Sequence, residues 1–254
     1  MTWSIVARDP ESGHFGVAVA SRFFAVGCAV PHIKGRVGAI ATQAFVSPLY
    51  GTDGLKLLEE GKSPDEVIET LTARDGGHRQ RQLHLIDAEG RNAAFTGESC
   101  IDWAGHLLDD NVSVAGNMLA GPQVIAETLR VYKERAAAGA PLAERLLDAM
   151  DAGEAAGGDK RGRQSAVLVI CRDQDYPWLR INADDHADPL AELRRLHAVA
   201  QERYVHVAET MPTRENPHGM IDRRVIDQKI AELEAAREAE GRPSASFATP
   251  WKPQ

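Results

Sequence analysis

The chain has 254 residues, of which 43% are hydrophobic and 26% charged, with a formal net charge of −8. That size suits one large domain or a domain with an appendage, and the composition is ordinary for a globular chain. The negative balance disfavours nonspecific nucleic-acid binding, no apolar run reaches the length of a membrane span, and no basic-then-apolar leader is present, so the expected setting is the cytoplasm, away from nucleic acid and membrane.

The first stretch predicts a strand hairpin. Residues 3–7 and 16–20 are rich in β-branched and small residues, and Asp9-Pro10-Glu11-Ser12-Gly13 between them is a cluster of turn formers. Residues 28–30 read as a short strand, 31–35 as a turn, and 37–44 as a central strand apolar on both faces. Two helices are expected next. One covers 50–60 and ends at Gly61. The other starts at the cap Ser63 with Pro64 at its first position and runs to Ala73. Residues 79–87 alternate Gln80, Gln82, His84 and Ile86 against Arg81, Leu83 and Leu85, giving a strand with one polar and one apolar face. A hairpin turn at 88–91 leads into a returning strand over 92–96, and 112–117 is a further short strand. Helices are expected over 122–137 and 141–152, a loop over 153–164, a strong strand over 165–171 and its partner over 178–182. A helix from Asp188-Pro189 to about Val207, a linker over 212–219, a charged helix over 221–240, and a disordered or docking tail over 242–254 complete the chain. Strand runs segregated from helix pairs indicate an α+β fold with a mostly antiparallel sheet.

The sequence has no GxGxxG, P-loop, HExxH or GxSxG pattern. The cysteines Cys28, Cys100 and Cys171 are far apart and odd in number, and read as small buried hydrophobes. The 184–188 segment, DDHAD, resembles a metal cluster but is better read as the acidic start of a helix. No metal or organic cofactor is called for.

Thr2 is the first candidate for chemistry. A Thr hydroxyl beside its own free α-amine, once Met1 is removed, is an activated nucleophile. Ser4 lies on the same strand face and is its rival or its partner hydroxyl. Arg22 could lower the pKa of that amine by like-charge repulsion. Asn117, in a strand-to-helix connection, could donate to an oxyanion, and Gln43 at a strand end is a similar donor. The 158–165 loop, GDKRGRQS, gathers Asp159, Arg161, Arg163, Gln164 and Ser165 before a buried strand. Its arginines suit a carboxylate or phosphate group on a substrate. Against each stands a plainer reading: a residue after the start codon, a turn arginine, a turn asparagine, a solvated loop.

Taken together, TWSIVARDPESGHFGVAVASRFFAVG, VGAIATQAFVSPLYGTDGLKLLEEG, AGNMLAGPQV, GEAAGGDKRGRQSAVLVI and DDHADPLAELRRL resemble the domain-of-unknown-function family numbered 1028. That family is grouped with the N-terminal nucleophile (Ntn) hydrolases, and the resemblance spans about residues 2–196. It implies a four-layer αββα Ntn-hydrolase-like sandwich over 1–210. A C-terminal extension over 211–254 would comprise the linker, the charged helix and the Pro-containing tail. The opening is similar to the N-terminal hairpin of proteasome β subunits, with Ser21-Arg22 kept and Ala20 standing where those have Asp. Lys34 is the nearest counterpart of their lysine. The implied activity is hydrolysis of a small amide or peptide-like C–N bond by Thr2 or Ser4, in a homo-oligomer. The alternative is a non-catalytic small-molecule-binding or assembly protein on the same fold.

Overall fold

The computed structural model describes residues 2–249. Met1, whose removal the nucleophile reading requires, and Pro250 and Pro253 of the tail lie outside the described residues. Two compact units form, one ending at Leu193 and the other starting at Arg194.

The first unit is α+β with two antiparallel sheets. β1 (Thr2–Arg8) and β2 (Phe15–Ser21) are the opening hairpin, turning at Asp9, where the Gly13 N–H bonds the Asp9 carbonyl at 2.8 Å and Gly13 takes a φ of 73°. β3 (Pro31–Lys34) and β4 (Gly38–Ala44) follow, then α1 (Pro48–Glu59) and α2 (Pro64–Ala73). α2 begins where its cap predicts. Ser63 accepts from the Glu66 N–H, and Glu66 reaches back to the Ser63 N–H at 2.7 Å. β5 (Arg81–Asp87), β6 (Asn92–Thr96), β7 (Trp103–Asp109) and β8 (Val112–Leu119) lead to α3 (Gln123–Ala137) and α4 (Leu142–Ala155). β9 (Ser165–Cys171) and β10 (Leu179–Ala183) complete the strands.

One sheet has the order β10-β9-β2-β1-β8-β7 and the other β3-β4-β5-β6. They face each other across a shared core of Val6, Val17, Val19, Val167 and Val169 from the first and Ala39, Ala41 and Ile86 from the second. The outer face of the four-stranded sheet buries Ile40, Leu83 and Leu85 against Tyr50, Leu58, Val67 and Leu71 of α1 and α2. α4 lies so close to β2 that a Cβ on Gly16 would sit 2.5 Å from Leu146. α3 packs on β8 beside it.

Four expectations are corrected. Residues 26–28 form a 3₁₀ turn, so the strand expected over 28–30 is absent. The segment read as a turn at Pro31 is the edge strand β3, where a proline is tolerated at the first position. β7 was not foreseen. It is an edge strand, exposed over 106–108, whose sequence WAGHLLD carries no period-2 signal. α4 continues to Ala155, taking the first residues of the expected 153–164 loop.

In the second unit a π-helical segment, Ala200–Tyr204, links α5 (Pro189–Val199), which begins in the first unit, to α6 (Val205–Ala208), and α7 is Arg223–Ala239. Glu202 accepts from Arg237 at 2.6 Å and from both the Ser244 hydroxyl and the Ala245 N–H at 2.7 Å. Arg195 donates to the Ala245 carbonyl at 2.7 Å and stacks on Phe247. The described part of the tail, expected to be disordered or a docking arm, is therefore tied to its own unit.

Candidate functional site

Strand alternation turns Trp3, Ile5 and Ala7 of β1 one way and Thr2, Ser4 and Val6 the other, into the space between the sheets. β1 is central, and its first residue pairs with Asn117 of β8. Thr2 is buried, its hydroxyl 3.1 Å from the Ser21 hydroxyl on β2. The Asn117 side chain donates to the Thr2 carbonyl at 3.3 Å and to Gln82 Oε1 at 3.0 Å. One amide hydrogen of Asn117 thus holds the strand that carries Thr2, and the other ties Asn117 to Gln82 on β5 of the facing sheet.

Behind Thr2 runs a buried polar chain whose hydrogen-bond direction follows from its end. Gln82 Nε2 faces the carbonyls of Gly116 at 2.9 Å and Gly105 at 3.0 Å. Carbonyls only accept, so Gln82 presents its NH₂ there and its oxygen to Gln43 Nε2 at 2.8 Å. Gln43 then offers its own oxygen to Ser4, which donates its single proton at 2.8 Å. His84 Nε2, 2.8 Å from Ser4 Oγ, is left to donate, and its Nδ1 accepts from Ser113 at 2.9 Å. Burial, with the nearby His106 adding to it, pushes the His84 pKa down to about 3, so the ring is neutral, as this pattern requires. The Ser4–His84 pair resembles a nucleophile with its base but has the opposite polarity: the imidazole gives a proton to the hydroxyl.

The other expected site residues fall into two groups. Gln43 joins the chain just described and lines a cavity with Thr2. Ser165 anchors the 22–28 loop, donating to the Phe23 carbonyl and accepting from the Val26 N–H at 3.1 Å. Gln164 bonds the Ser21 carbonyl through its N–H at 3.1 Å and Asp185 through its side chain at 3.2 Å. The Asp159 carboxylate is buried and accepts from the N–H groups of Arg22 at 2.9 Å and Arg161 at 2.8 Å. The Arg22 guanidinium donates to the Arg161 carbonyl at 3.0 Å, and so serves the 158–163 loop. Arg161 pairs with Asp159 at 3.3 Å, and Arg163 with Glu154 at 2.5 Å and Asp188 at 2.8 Å. Ser21, Gln82 and His84 were not singled out from sequence. The polar alternation of 82 and 84 was visible, but only the second sheet shows that this face is buried.

Two small cavities open at this end of the sheets. One, of about 40 Å³, is lined by Thr2, Gln43, Phe23 and Val30, and the other, of about 140 Å³, by Asn117, Met118, Phe45 and Ile101. Ala44 lies on both. Ala25, Ala44 and Met118 have left-handed backbone, with φ of 50°, 68° and 53°. Each such residue costs about 1–2 kcal/mol, and strain of this kind concentrates where a site needs its geometry fixed. Among the described residues, no group of three or more His, Cys, Asp or Glu is placed to hold a metal, and no helix is long and apolar enough to cross a membrane.

Solved structures similar to this chain include the following two. The crystal structure of protein SPO2555 from Silicibacter pomeroyi is 30% identical, with a TM-score of 0.80 over 87% of this chain and 96% of that one. Anbu (ancestral beta-subunit) from Yersinia bercovieri is 12% identical, with a TM-score of 0.38 over 83% of this chain and 98% of that one. No curated protein matches the chain. The family model described as a family of unknown function, DUF1028, matches residues 2–193, and the chain belongs to that family.

Proposed function

We propose that this protein is an Ntn-type amidohydrolase that cleaves a small amide or peptide-like C–N bond with Thr2 as nucleophile. The observation that carries the reading is the setting of Thr2. It opens a central strand, faces a cavity, lies beside a second hydroxyl on Ser21, and has its carbonyl held by Asn117. Helix pairs on the outer faces of two facing sheets support the αββα arrangement. In the proposed reaction the Thr2 hydroxyl adds to the substrate carbonyl and passes its proton to the Thr2 α-amine, freed by loss of Met1. The C–N bond breaks, the amine returns the proton to the leaving nitrogen, and water hydrolyses the resulting ester. Ser4 is given a supporting role, since its proton is committed to Gln43 and His84 acts on it as a donor.

The test is intact-mass analysis of the purified protein, labelling by a β-lactone, and turnover of a panel of fluorogenic amides by wild type and Thr2→Ala. The expected result is a mass lacking Met1, one label lost in Thr2→Ala, and turnover reduced about a thousandfold or more in that variant. Retained Met1 with unchanged turnover in Thr2→Ala would remove Thr2 from the chemistry. A non-catalytic binding or assembly protein is the second reading, favoured by the exposed Phe23, Phe24, Phe45 and Ile101 around the same cavities. It predicts intact Met1 and no labelling.

A further inference from the structure

The most exposed large apolar side chains of the first unit gather at the Thr2 end, while the less exposed Leu107, Leu108 and Tyr176 lie elsewhere. Phe23 and Phe24 follow β2, Phe45 and Leu49 follow β4, and Ile101 precedes β7, with Phe45 68% and Ile101 64% exposed. Isolated exposed hydrophobes are normal on a monomer, but grouped ones mark a contact surface. Here they have a cavity to serve. Phe45, Ile101, Met118 and Cys100 line the 140 Å³ space whose inner wall is Asn117, the residue that grips Thr2. An apolar cavity of about 150 Å³ takes up benzene, so this one admits a single benzyl or isobutyl group.

Charge sharpens the choice. Neither cavity is lined by an Asp, Glu, Lys, Arg or His. A charged side chain entering would lose its water, and no lining side chain offers it a counter-charge. The cation beside the larger cavity, Arg81, lies over the Phe45 ring and is paired with Asp75 at 2.5 Å, and Arg22, next to Phe23, donates to the Arg161 carbonyl.

We infer that the Thr2 site takes an amide flanked by a compact, uncharged, apolar side chain, seated among Phe45, Ile101 and Met118. The word substrate rests on the amidohydrolase reading; the binding preference does not. The inference is tested on full-length Thr2→Ala by NMR of methyl-labelled Ile and Met. The probes are N-acetyl-phenylalaninamide and N-acetyl-leucinamide, set against the α-amide of N-acetyl-glutamate. Saturable shifts of the Ile101 and Met118 methyls with the apolar probes, and roughly tenfold or more weaker binding of the acidic one, are expected. Ile101→Ser and Phe45→Ser, both at exposed positions, should abolish the preference. Wild-type turnover of matching fluorogenic amides should then favour Phe and Leu over Glu to the same degree. Selective binding without turnover would sink the amidohydrolase reading and leave this inference standing. Absent shifts, or equal response to all probes, would overturn it. So would Ile101 shifts that follow protein concentration alone, with a dimer in sedimentation that Ile101→Ser dissociates, because the surface would then belong to a second copy.

Discussion

The space between the two sheets is filled by two different materials. Away from Thr2 it is apolar: Val6, Phe15, Val17, Val19, Ala39, Ala41, Val167 and Val169 meet with no polar atom to satisfy. Toward Thr2 it is a chain of side-chain hydrogen bonds through Asn117, Gln82, Gln43, Ser4, His84 and Ser113, every residue of it buried. Apolar contact is non-directional and tolerates adjustment. A buried polar chain is stable only when all of it is satisfied, and it fixes positions in return. The contrast implies that one half mainly stabilises the fold, while the other also sets the place of Thr2.

The largest effect that separates the halves should come from Gln82. Gln82→Leu leaves the carbonyls of Gly105 and Gly116 without their donor and deprives Gln43 and Asn117 of an acceptor. Each buried group left unpaired costs about 1–3 kcal/mol, so a loss of roughly 3–5 kcal/mol is expected by urea unfolding, with any Thr2-dependent turnover falling as well because the Asn117 anchor loosens. A loss near 1 kcal/mol would show that the chain is not held by its polarity. Val17→Ala, in the apolar half, should cost about 2 kcal/mol and leave substrate affinity unchanged.

A smaller effect is one of pH. Folded His84 takes up a proton only near pH 3, because of its burial and then His106, while the unfolded chain does so near its ordinary value. Between those values the unfolded state binds more protons, so stability falls as pH falls below about 6.5, by up to about 1.4 kcal/mol per pH unit. Burial also lowers His32 and His106, and they act in the same direction. His84→Gln should flatten the slope by about 1 kcal/mol per pH unit between pH 6.5 and 5, read from urea midpoints. An unchanged slope would mean that the ring is not the neutral donor inferred here.

The parts legible in sequence are those governed by local signals. Ser63, Pro64 and Glu66 set the start of α2, and SAVLVIC marks β9 to the residue. Two of the four edge strands were missed for want of alternation, since β3 begins with a proline and β7 leaves its middle in solvent, while the edge strands β6 and β10 were legible. Thr2, Asn117 and Gln43 were legible as candidates, and the structure brings them together. Their roles were not legible, because donor direction depends on the Gly105 and Gly116 carbonyls on the facing sheet. Arg163 looked free for a substrate acid because Glu154 and Asp188 flank it only after folding, whereas the partner of Arg161, Asp159, lies two residues away in the same loop.

The smallest effect tests the comparison within one strand. Ala39 and Ala44 both lie on β4, the first in the apolar half and the second at the Thr2 end. Ala39 packs among valines, so Ala39→Gly removes contact and adds chain entropy, at a cost of about 1 kcal/mol. Ala44 is held at a φ of 68°. There glycine relieves the clash between Cβ and carbonyl, and after the larger entropy loss on folding Ala44→Gly should still gain about 0.5 kcal/mol. The same substitution, five residues apart, should therefore change sign. If the strain at Ala44 holds the walls of both cavities in place, the gain in stability should come with weaker binding of the apolar amide probes. A gain with binding unchanged would mean that the left-handed turn is only a way to end the strand.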